Sequence, residues 1–67
     1  MWKERIGGDA GAVWRLLSER GPLGTAALQR LAKLDDRRLW LALGWLAREG
    51  KVEASRARGR TVVALSE

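Results

Sequence analysis

The 67-residue chain has no cysteine and no histidine. Without cysteine there is no disulfide to staple the fold. Without either residue the zinc-finger ligand sets are gone, and with them most nucleophile–base pairs. The carboxylates fall mostly at helix caps or beside basic residues, so no nucleophile, base and orienting group can be assembled around Ser18, Ser55, Thr61 or Ser66. Gly7-Gly8 is not followed by the Lys-Ser/Thr of a phosphate-cradling loop. Scattered acids alone make no metal ligand set. Neither an enzyme nor a metal, cofactor or small-molecule site is expected. No apolar run approaches the roughly 20 residues of a membrane span, and the first residues are too charged for a signal peptide, which makes the cytoplasm the default location. A chain this short is expected to form one domain, held together by packing or by association.

What the sequence does have is basic charge, unevenly placed. The net charge is +5, and residues 30–60 carry all of it, with nine Lys/Arg against four Asp/Glu. Concentrated basic charge is the footprint of a phosphate-binding surface, although a solvated face without a partner has the same composition.

The stretch LDDRRLWLALGWLAREGKV, Leu34 to Val52, organises the rest. Asp35 is a good N-cap, and Asp36 adds negative charge at the positive end of a helix dipole. Leu39, Ala42, Leu43 and Leu46 recur at i, i+3, i+4 and i+7, an apolar stripe that predicts a helix over about 35–49. Gly50 supplies the left-handed stop. The outer face carries Arg37, Arg38, Leu41, Gly44, Trp45 and Arg48, with Trp40 at its edge. A leucine and a tryptophan at i, i+4 among arginines form an exposed apolar patch, and such patches usually meet something.

Upstream, Met1 to Gly8 reads as irregular, with Gly7-Gly8 as breakers, Ile6 available for a short strand contact and Trp2 folding back onto the body. Asp9 then caps a first helix over about 9–20, closed by Gly21-Pro22. Ala10, Val13, Trp14 and Leu17 share one face of it, which assigns Trp14 to the core. Gly11 costs about 1 kcal/mol against alanine and points to close approach of another element. Thr25 caps a second, shorter helix over about 25–33, with Arg30 and Lys33 on its far side. Two helices joined by so brief a link match the helix-turn-helix plan.

Beyond Gly50 the period changes to two. Strands are expected over about 51–55 and 61–65, with Val52, Ala54, Val63 and Leu65 turned to the core. Arg56-Ala57-Arg58-Gly59-Arg60 reads as a five-residue hairpin loop in which Gly59 takes the positive φ. Three helices followed by a two-stranded hairpin make a winged helix-turn-helix, a mainly helical α+β fold.

Ile6-Gly7, Ala10-Gly11, Val13-Trp14 and Leu17, followed by the run Ala42-Leu43-Gly44-Trp45-Leu46-Ala47-Arg48-Glu49, resemble a family of short, largely uncharacterised bacterial winged helix-turn-helix proteins. The resemblance covers almost the whole chain and implies DNA binding by analogy with winged helices in general. On that reading the third helix enters the major groove, and Asp36, Arg37, Arg38, Leu41 and Trp45 match the groove-facing positions. Arg37 and Arg38 suit guanine readout, and Arg56, Arg58 and Arg60 on the wing, with Lys51 and Arg48 behind them, suit phosphate. A transcriptional regulator or accessory factor acting on double-stranded DNA is the expected function. Leu41, Gly44 and Trp45 depart from a DNA-reading face, since an indole offers only one N–H. They support the alternative of a protein partner or a homodimer.

Overall fold

The computed structural model describes residues 2–66. Its elements run α1 (Trp2–Arg20), β1 (Leu23–Gly24), α2 (Thr25–Ala32), α3 (Asp36–Arg48), β2 (Val52–Ala57) and β3 (Arg60–Leu65). The strands form one antiparallel sheet in the order β1-β3-β2.

The helix α3 follows its sequence closely. The Asp35 carboxylate accepts from the Arg38 backbone N–H at 2.8 Å, which satisfies one of the free donors of the first turn. Leu39, Ala42, Leu43 and Leu46 are all buried, and Gly50 stands at φ +72°. Val13 and Leu17 of α1, Leu28 of α2 and Val63 of β3 close around that stripe.

Four expectations are corrected. The first helix begins at Trp2 rather than Asp9. Ile6 lies four residues before Ala10, so the inward-facing stripe continues through Gly7-Gly8 and packing carries the helix across them. Asp9 is therefore no cap but an interior helical residue, buried at 9% exposure. The sheet has three strands rather than two, because Leu23 and Gly24 pair with Val63 and Val62. Gly24, not Thr25, takes the N-cap position of α2, and no side chain caps that helix. The hairpin turn has two residues, not five. Ala57 pairs with Arg60, and Arg58 and Gly59 between them both have positive φ, 54° and 76°, the signature of a type I′ turn.

The tryptophans also differ from expectation. Trp14 is 42% exposed, because it stands on the flank of the α1 stripe and its indole overhangs the edge. Trp2 does not fold into the body; it is exposed, with the Arg5 guanidinium 5.9 Å from its ring centroid. No element approaches Gly11: a Cβ built there, or at Gly7 or Gly8, meets nothing within 4 Å. No helix among the described residues is long and apolar enough to cross a membrane.

Candidate nucleic-acid interface

The positions of the cations follow from the folding of α3 and the hairpin. Three residues after α3 ends, β2 begins, and it runs back along the helix. Trp40, Leu43, Gly44 and Ala47 on one side and Val52 and Ala54 on the other line a common apolar groove of about 180 Å³. The wing turn is thereby carried towards the N-terminal end of α3, where Arg37 projects into solvent. Arg48 and Lys51 stay at the opposite end, and Lys51 lines the seam between α1 and α3.

The wing arginines do not share one face. Arg56 pairs with Thr61 and lies on the side of the sheet that carries Ala54, Val63 and the core. Arg60, opposite Ala57, lies on the other side. Arg58 occupies the tip itself. The Arg56 guanidinium donates to the Gly59 carbonyl at 3.3 Å and so braces the turn.

A broad cavity of about 620 Å³ opens between the wing and α2, lined by Gly24, Thr25, Ala26, Ala27, Arg30, Gly59, Arg60 and Thr61. The first backbone N–H groups of α2 have no side-chain cap, and no acid occupies that first turn. Arg30, on the last turn of α2, and Arg60, on the wing, thus border the same cavity as that uncapped first turn, an arrangement suited to an anion. Sequence reasoning singled out Arg30 and Arg60 but not the α2 N-terminus between them. The missing acid after Gly24 was the available signal. Lys33 is the left-handed C-cap of α2, its backbone N–H bonded to the Gln29 carbonyl.

Arg38 has a different environment from its neighbour Arg37. Its Nε donates to Asp9 Oδ2 at 3.0 Å and its Nη2 to Asp9 Oδ1 at 2.8 Å, a bidentate fork across 29 residues that ties α3 to α1. The hydrogen bond to Asp9 pushes the Arg38 pKa up, and the charges of Asp9 and Asp35 act in the same direction against the partial burial of the group. The guanidinium is thus engaged by a carboxylate of α1, unlike that of Arg37, with which the sequence pairs it as a groove-facing arginine.

Leu41 at 39%, Trp45 at 36% and Trp40 at 46% exposure are the large apolar side chains on the surface of α3. The two indoles diverge. Trp40 borders the groove with β2, and Trp45 borders a second groove with α1. Leu41 lies between them, next to Gly44, on the outermost face.

The family described as Winged helix-turn-helix domain (DUF2582) matches residues 1–65. The chain is similar to the solution structure of protein BT2368 from Bacteroides thetaiotaomicron, with 37% identity, 97% of this chain and 79% of that chain covered, and a TM-score of 0.87. It is also similar to the crystal structure of the transcriptional regulator PA4135, at 24% identity and a TM-score of 0.80. There the match covers 87% of this chain but 45% of that one, and a likeness so distant speaks for the fold alone. No curated protein matches the chain.

Proposed function

The chain belongs to the winged helix-turn-helix family DUF2582, and from that premise we propose that it binds double-stranded DNA as a transcriptional regulator or accessory factor. The observation that carries this reading is the cavity in which Arg30, Arg60 and the uncapped N-terminus of α2 converge without an acid among its lining residues. A backbone phosphate fits there by charge and by hydrogen bonding. Arg37, on the first turn of α3, is the free cation placed to reach base edges. Arg58 at the wing tip and Arg56 beside it add phosphate contacts, which fix register without reading sequence. Arg38 acts differently: its fork with Asp9 fixes the angle at which α3 leaves α1. Lys33, Arg48 and Lys51 contribute to the general positive field.

A second reading, a protein-interaction module using Leu41, Gly44 and Trp45, draws on the exposure of those side chains. It competes with DNA for the outer face of α3.

The deciding experiment is fluorescence anisotropy of a labelled duplex titrated with the protein across a range of salt. Affinity falling with log salt at a slope near −0.9 for each phosphate contacted is the expected result. Replacing Arg30 and Arg60 together with alanine should reduce that slope by about one contact's worth, since both hold the same phosphate. Absence of binding at low salt would refute DNA as the partner and move the interpretation to the Leu41–Trp45 face.

A further inference from the structure

The face of α3 turned away from the core is a narrow line of residues. At about 100° per residue, Arg37, Leu41, Gly44 and Arg48 fall within about 60° of one another, opposite the buried Leu39, Ala42, Leu43 and Leu46. All four are exposed. Asp36, the acid of this helix, stands about 100° away from Arg37. The indoles flank the line without joining it, Trp40 bordering the groove with β2 and Trp45 the groove with α1. Leu41 is thus the apolar side chain of the line, with an arginine at each end. A lone leucine between cations is too small for a protein interface, where each partner contributes about 800 Å².

On DNA, such a leucine has a specific counterpart. Base edges in the major groove present hydrogen-bond donors and acceptors and one apolar group, the C5-methyl of thymine. Pressed against the polar edge of guanine, adenine or cytosine, leucine would remove polar atoms from water and return no hydrogen bond. Against the thymine methyl, the same contact removes apolar surface from water. The side chain therefore discriminates by attraction and by exclusion.

We infer that Leu41 reads the C5-methyl group of a thymine in the major groove, about two base pairs from the base that Arg37 contacts. The inference rests on the proposed DNA binding and makes it selective at a further position. The spacing comes from the helix, because Leu41 lies about 6 Å beyond Arg37 along the axis, against a rise of about 3.4 Å per base pair. Gly44 adds no bulk beside it, and a Cβ built there meets nothing within 4 Å, so the bare backbone is open to the groove. Arg48 lies about 16 Å beyond Arg37, past the roughly 12 Å width of the groove, where its charge faces phosphate rather than bases.

Selection of bound duplexes from a random-sequence pool, followed by anisotropy on the enriched duplex, tests this. The expected enriched sequence holds a thymine about two base pairs from a guanine. Replacing that thymine with deoxyuridine removes the methyl group and no hydrogen-bonding atom. It should weaken binding about fourfold, the effect of one buried methyl group. Leu41→Ala should bind the thymine and uracil duplexes alike, with the salt slope of the unaltered chain, since Leu41 neutralises no phosphate. Leu41 is exposed and alanine is the best helix former, so this variant is expected to fold. Duplex binding that enriches no thymine at that place overturns the inference and leaves the DNA-binding reading standing. So does a uracil duplex bound as tightly as the thymine one, or a loss that persists in Leu41→Ala. A chain that binds no duplex even at low salt overturns both.

Discussion

Arg58 occupies a conformation that arginine rarely takes. At φ +54° it is the first residue of a two-residue turn whose second residue is Gly59 at +76°. Asparagine is favoured at that first position, whereas a side chain with an ordinary Cβ costs on the order of 1 kcal/mol there. Arg58→Asn should therefore stabilise the domain by up to about 1 kcal/mol, because asparagine tolerates the left-handed region and the Arg56 brace on the turn stays in place. For a domain of this size that gain corresponds to a rise of roughly 4–8 °C in the unfolding midpoint. The same substitution removes the outermost cation of the wing. If Arg58 neutralises one phosphate, the log–log salt slope falls by about 0.9, and at 0.1 M salt the affinity for duplex DNA falls about eightfold. Differential scanning calorimetry and salt-dependent anisotropy on the same variant read both effects. An unchanged midpoint would refute the strain at the turn. An unchanged slope with a raised midpoint would refute the contact at the tip and leave the arginine without a use.

Three further outcomes follow from the core and the buried pair. Leu39→Ala removes a fully buried side chain at the centre of the α3 stripe and should cost about 2–5 kcal/mol, most of the stability of so small a domain, as urea denaturation would show. Arg38→Met should lower the urea midpoint more than Asp9→Asn does, because it strands the more deeply buried carboxylate, and the two substitutions together should cost less than their sum. The thermal midpoint should stay flat between about pH 6 and pH 8, since no histidine or cysteine side chain is present to titrate there. The raised pKa of Arg38 keeps that group charged throughout, and its contribution is lost only as pH rises past its ordinary value and through the raised one. A midpoint that moved with pH in that window would point to a perturbed carboxylate.

The parts of the fold that were legible are those with local causes. Asp35, the Leu39–Leu46 stripe and Gly50 each act within a turn or two of themselves, and α3 has the cap, the buried face and the stop they predict. The missed parts have distant causes. Leu23–Gly24 is too short to show a period and becomes a strand only because Val62 and Val63 come alongside. Gly7-Gly8 breaks a helix on local grounds, and only the continuation of the stripe to Ile6 argues otherwise. The Asp9–Arg38 fork has no local signature, since a carboxylate at a plausible cap and an arginine on a plausible groove face each had a sufficient explanation alone. In the candidate site the cations were legible by charge, but their division between a cavity, a turn tip and an internal pair was not.

The central position of β3 has a consequence for the order in which the fold can be assembled. β3 follows every other element in the chain, yet β1 and β2 touch it and not each other. On a ribosome, no part of the sheet can form until Arg60 to Leu65 has left the exit tunnel. The three helices must wait with the site of Val63 open to solvent. Helices form without distant partners, whereas this sheet requires residue 23 to find residue 63. The fold therefore closes in a single step, in which β3 completes the core and raises the wing together.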